Sequence, residues 1–138
     1  MKIFFSKTLN YIYIGTAWIK SALKKLLADK LSAVLLAVAL FFNILAWVGS
    51  YFLNNLIGPD LAVLHYNVVF GIDLVGDAGQ LYLTPLLGLV VLIINFLLGA
   101  LLKDNRDRLI AMMLLSVALL VNIFCLIALY FSYIINFS

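Results

Sequence analysis

Residues 31–53 read LSAVLLAVALFFNILAWVGSYFL, a run without Asp, Glu, Lys or Arg. Residues 81–102, LYLTPLLGLVVLIINFLLGALL, and 109–133 repeat the property. At 1.5 Å per residue each run makes a helix of roughly 33–37 Å, enough to cross a hydrocarbon core of ~30 Å with some tilt. Only a helix satisfies that much backbone in lipid, because a barrel strand is short and alternates in polarity. The expected fold is therefore an all-α integral membrane protein with three transmembrane helices at about 31–53, 81–102 and 109–133.

Composition agrees. The chain has 138 residues, 67% hydrophobic and 11% charged, without a single glutamate. A soluble surface needs roughly a quarter charged residues, so a water-soluble globule is excluded. Disorder is excluded by the apolar content, and a disulfide scaffold by the lone Cys125. The excess of nine bases over six acids is not a nucleic-acid signal, because its placement follows the membrane. Lys2, Lys7, Lys20, Lys24, Lys25 and Lys30 precede the first span, and Lys103, Arg106 and Arg108 lie between the second and third. The 54–80 loop carries only Asp60, Asp73 and Asp77. The positive-inside rule then predicts N-in, C-out, with the 54–80 loop outside, in a multi-pass protein of the cell (plasma or inner) membrane. A cleaved signal peptide is the weaker reading, since the basic and apolar regions are both too long. The chain divides into a basic segment, 1–30, and a membrane domain, 31–138.

Residues 9–28 carry an apolar stripe of Leu9, Ile12, Thr16, Ile19, Leu23, Leu26 and Leu27. Lys20, Lys24 and Lys25 fall opposite, and Trp18, Tyr11 and Tyr13 suit a headgroup layer. This pattern predicts an amphipathic interfacial helix on the inner leaflet, its lysines against anionic lipids. Packing against a partner subunit is the alternative.

The spans contain no acid, base or histidine. Coupled transport and proton relays need an ionisable group at membrane depth, so a proton-coupled exporter or intramembrane protease is not expected, and the chain reads as no enzyme. Each span carries one asparagine, Asn43, Asn95 or Asn122. Asn43 and Asn122 lie about 18–20 Å from the cytoplasmic ends of their helices, level enough to bond across a helix pair. Structural glue is the preferred role, a polar lining for a solute path the alternative. Ala33 and Ala37 are expected to allow close helix approach, and Pro85 marks a helix start.

Diversity concentrates in the outer loop. After the turn Gly58-Pro59-Asp60 comes the β-branched and aromatic run 61–70, then Gly71-Ile72-Asp73 and Gly76-Asp77. One or two short extended segments are expected, broken at Asn67 and Gly71. His65-Tyr66-Asn67, Asp73 eight residues after His65, and Gly76 resemble the outer-loop signature of the Sdp-type immunity membrane proteins and their relatives of unknown function. That signature runs Pro-x-His-aromatic-Asn-x-x-Gly-x-Pro-Asp-x-x-Gly-x-Lys, followed by a helix with an early proline, matched by Pro85. Val63 replaces its first proline, Gly71 is one place late, Ile72 replaces its second proline and Ala78 its lysine. The fuller string also looks like small membrane proteins of candidate-phylum bacteria. The match covers about a quarter of the chain, through Gly88 and Asn95. It implies a membrane module with a protective or binding role and brings no catalytic residue.

On the residues alone, a lone histidine with two carboxylates is thin for a metal, and no metal or cofactor is expected. The preferred reading pairs His65 with Asp73 to fix the loop. Recognition of a peptide or lipid headgroup through His65, Tyr66, Asn67, Gly71, Asp73 and Gly76 is the alternative. The expected function is a non-enzymatic binding, scaffold or immunity-like module using this loop. A small transport or permeation subunit acting as an oligomer ranks second. Expected partners are the lipid bilayer and a membrane protein or second copy.

Overall fold

A computed structural model describes residues 13–21, 23–24, 27–59, 61–67, 69–102 and 107–137. Helix α1 runs Lys30–Ile57, α2 Leu83–Leu101 and α3 Arg108–Phe137. Between α1 and α2 the chain forms strands β1, Leu61–Asn67, and β2, Gly71–Asp77, followed by a 3-10 turn, Ala78–Tyr82. All three helices are long and apolar enough to cross a membrane, counting the 3-10 turn with α2. Residues 13–21 are helical, with Tyr13, Ile14, Trp18 and Ile19 exposed. Of the expected interfacial helix, Leu9, Tyr11, Ile12, Lys25 and Leu26 lie outside the described residues. So do Lys2, Lys7, Asp60, Lys103 and Arg106.

The helix ends follow local chemistry. Asp29 caps α1, its Oδ2 accepting from the Ser32 backbone N–H at 3.1 Å and the Ser32 hydroxyl at 2.7 Å. The same carboxylate takes Arg108 Nε at 3.0 Å, which ties the starts of α1 and α3 together. Gly58, at φ 68°, ends α1 in a conformation that only glycine adopts freely, and Pro59 follows. Helix α1 thus continues four residues past the expected Leu53, and α3 continues past Tyr133 to Phe137.

The buried positions repeat in alternating steps of four and three. On α1 they are Ser32, Leu36, Ala39, Asn43, Ala46, Ser50 and Leu53. On α3 they are Ala111, Leu115, Ala118, Asn122, Cys125 and Leu129. The strand-side turn and α2 continue the pattern with Leu81, Pro85, Gly88, Leu92, Asn95 and Gly99. A mean step of 3.5 is the heptad seam of a left-handed helix bundle. The seam is rich in Ala, Gly and Ser because helices in lipid gain little from apolar burial and must associate by close backbone approach. The expected pair Ala33 and Ala37 is one step out of phase, with Ala33 half-buried and Ala37 exposed. Ser32 and Leu36 take the seam instead.

Two apolar layers result. Leu36, Ala39, Leu92, Ala111, Leu115 and Ala118 pack at the basic end. Ala46, Leu53, Leu81 and Leu129 pack at the hairpin end, with Leu64 of β1 against them. Asn43, Gly88 and Asn122 separate the layers.

The all-α expectation fails in one place. The extended segments of the loop pair into an antiparallel two-stranded sheet, with Val63 opposite Val75, Tyr66 opposite Ile72 and Asn67 opposite Gly71. The cause is local. Asn67 Oδ1 accepts from the Val69 N–H at 2.8 Å, and Gly71 takes φ 79°, so the chain reverses at the two expected breaks. The register is irregular between Val63 and Tyr66, where Leu64 turns towards the helices.

Candidate functional site

Helix α2 has 19 residues against 28 in α1 and 30 in α3. Its start therefore stops about three turns short of its neighbours' ends, and the hairpin and 3-10 turn fill the shortfall. This recess is the candidate site.

Three contacts hold the hairpin over it. Asn136, in the last turn of α3, accepts from the Val63 N–H at 2.8 Å and donates to the Val63 carbonyl at 2.9 Å. One amide thus imitates a neighbouring strand along the outer edge of β1. Asp77 Oδ1 accepts from the Gly79 N–H at 2.7 Å and caps the 3-10 turn. Leu64 packs against the buried layer of Ala46, Leu53, Leu81 and Leu129. Gly76 admits the close approach, since a Cβ there would meet Leu64 Cδ1 and Gln80 Oε1, each at 2.8 Å.

His65 Nδ1 lies 2.6 Å from Asp73 Oδ1, the expected pair, with side chains 62% and 41% exposed. Solvent screening at that exposure leaves it a weak fastening. Tyr66 is exposed, and the tip residues Val69 and Phe70 are 80% and 82% exposed. Asn67 and Gly71 serve the turn, and Gly76 the packing, so the expected loop residues split into framework and surface. Among the described residues no group of three metal-ligating side chains gathers.

Below the recess the polar seam is fully bonded. Asn43 Nδ2 donates to Asn122 Oδ1 at 2.8 Å and to the Pro85 carbonyl at 2.9 Å. Asn122 Nδ2 donates to the Ala118 carbonyl at 2.8 Å and the Gly88 carbonyl at 3.3 Å. All three helices meet there. Asn95 Nδ2 donates to the Val91 carbonyl of its own helix at 2.8 Å and, among the described residues, bridges to no other helix. Pro85 has no N–H for the Leu81 carbonyl four residues earlier, and the Ser50 hydroxyl of α1 donates to that oxygen at 3.1 Å. Sequence reasoning passed over Ser50 and Asn136. Each is a polar residue in an otherwise apolar run, which was the available signal.

Comparison with protein-family models, curated proteins and solved structures finds no significant match.

Proposed function

We propose that this chain is a non-enzymatic, multi-pass binding module of a bacterial plasma membrane, oriented N-in and C-out, that docks a partner through its hairpin. The observation that carries the reading is a pinned hairpin with a bare tip. Asn136 and Leu64 fix its base, while Val69 and Phe70 stand 80% and 82% exposed. An exposed apolar tip whose base is held by hydrogen bonds presents contact area at a reduced ordering cost on binding. The partner is a membrane protein or peptide at the outer face, in keeping with the immunity-like role that the loop signature implies.

The non-enzymatic reading rests on the absence of acid, base and histidine from the sequence of the spans. A permeation role as an oligomer is the weaker reading, because Asn43 and Asn122 spend their amides on each other and on backbone carbonyls. The helical residues 13–21 lie on the inner leaflet, with Trp18 at the headgroups and Lys20 and the neighbouring Lys24 against anionic lipid. The test is co-purification from native membranes in mild detergent, comparing wild type with His65→Ala/Asp73→Ala and with Phe70→Ser. Loss of one defined partner from both variants, at unchanged expression, supports docking. The same partner profile from all three overturns it.

A further inference from the structure

The recess under the hairpin is a cavity of about 700 Å³, with Leu64, Leu74 and Phe131 among its walls and the polar side chains of His65, Gln80 and Ser132 beside them. Three of its lining residues, Leu83, Thr84 and Ala128, also line a second cavity of about 430 Å³. That slot continues between α2 and α3 past Leu87, Phe124 and Cys125 to Val121. The two adjoin along Leu83, Thr84 and Ala128; both are mainly apolar, and the chamber under the hairpin adds the polar groups of His65, Gln80 and Ser132. Both volumes suit a small-molecule site, typically about 300–1,000 Å³.

We infer that this space holds one membrane lipid, its acyl chain in the α2–α3 slot and an uncharged, hydroxyl-bearing head under the hairpin. Depth supports the chain. By helical rise Val121 lies about 20 Å and Ala128 about 30 Å along α3 from Arg108. With Arg108 at one boundary of a ~30 Å hydrocarbon core, the slot occupies the far part of the core and the chamber opens where it ends. Access supports it too: Leu83 and Phe131, 61% and 55% exposed, flank a lateral entrance from the bilayer.

Charge selects the head. Among the described residues no Lys or Arg lines the chamber, and the sequence of residues 54–80 contains none, so a phosphate there meets no cationic clamp. The chamber offers an imidazole, an amide and hydroxyls instead. Ser132 Oγ donates to the Ala128 carbonyl at 3.0 Å, which leaves its oxygen to accept from a lipid hydroxyl. This site goes beyond the docking role of the hairpin tip, and variants of the tip do not test it.

The experiment uses the full chain in phosphatidylcholine vesicles with a trace of diacylglycerol carrying a diazirine on its acyl chain. Irradiation followed by peptide mapping is expected to label residues 83–87 of α2 and 121–128 of α3, and unlabelled diacylglycerol is expected to compete. Ala128→Phe plugs the junction from an exposed position, and Leu83→Trp blocks the entrance. Each should cut labelling about tenfold, while Leu120→Phe, exposed on α3 away from both cavities, leaves it unchanged. Unaltered labelling in either blocking variant overturns the site. So does competition by phosphatidylglycerol equal to that by diacylglycerol, which marks unselective bilayer contact.

Discussion

Asn43 and Asn122 bond at 2.8 Å across α1 and α3 in the space that residue 88 of α2 leaves by having no side chain. A Cβ on Gly88 would stand 2.5 Å from Asn122 Oδ1 and 3.1 Å from Asn43 Nδ2. Three helices therefore share one polar joint, and each contributes a different thing: a donor, an acceptor and a vacancy.

Replacing either amide tests that joint. Asn43→Leu or Asn122→Leu removes membrane hydrogen bonds of about 0.6–2 kcal/mol and leaves a buried partner unsatisfied. Each single variant should lose about 1–3 kcal/mol of stability in detergent. The double variant should lose less than the sum, because the second change removes a group already orphaned. Strict additivity in equilibrium unfolding would show that the two side chains do not act together.

Two glycines should respond with opposite signs. Gly88→Ala displaces the asparagine pair and is expected to destabilise by about 1–3 kcal/mol. At Gly49 a Cβ meets only Leu129 Cδ1, at an ordinary 3.6 Å. Gly49→Ala should therefore be neutral or stabilise by up to about 1 kcal/mol through helix propensity. Thermal unfolding of the two variants side by side decides it.

Asn136→Ala frees both backbone groups of Val63. Amide exchange at Val63 and its β1 neighbours should accelerate while the helices keep their protection, since the lost clamp is local. His65→Ala/Asp73→Ala should change stability by less than about 1 kcal/mol, as fits a solvent-screened pair. That difference is what allows the His65 variant to report on docking and the Asn136 variant on folding.

Acid should act at the opposite end of the molecule. Hydrogen bonds from Ser32, then the one from Arg108, hold the Asp29 carboxyl below its ordinary 3.8. Because the folded value is the lower one, the unfolded chain takes up this proton first. The contribution of Asp29 is thus complete above the unfolded value and is lost as pH falls through the folded one. Melting temperature should show no Asp29 effect from neutral pH down to about 5, then a fall below 3.8. Asp29→Asn keeps a good helix cap but should remove this component of the acid limb. An acid limb identical in wild type and variant would assign it to other carboxylates.

Much of the bundle was legible in the sequence because it depends on local rules. The three apolar runs mark the helices, and Pro85 marks the first turn of α2. Counting residues from the basic ends places Asn43 and Asn122 at one level, where they bond. The eight-residue spacing of His65 and Asp73 fits the hairpin that joins them. The phase of the seam was missed because Ala33 and Ala37 are a plausible small pair, whereas the repeat through Ser32, Ala39, Asn43, Ala46 and Ser50 fixes it. What holds the hairpin down was hidden for a different reason. Asn136 and Val63 are 73 residues apart, and neither position alone announces the other. The cavity beneath exists only because α2 is shorter than its neighbours, a relation between three elements that no single stretch contains.

The Leu81 carbonyl carries a consequence for biogenesis. Pro85 denies it the usual helical donor, and Ser50 of α1 supplies one. The Leu83 N–H also reaches that oxygen locally, so the Ser50 hydroxyl is an added, interhelical donor to a backbone group that lipid cannot solvate. Synthesis from the N-terminus delivers α1 first, and with it the hydroxyl that bonds the start of α2. Chain order thus puts the donor helix in place before the carbonyl it bonds, so this contact forms without waiting for α3.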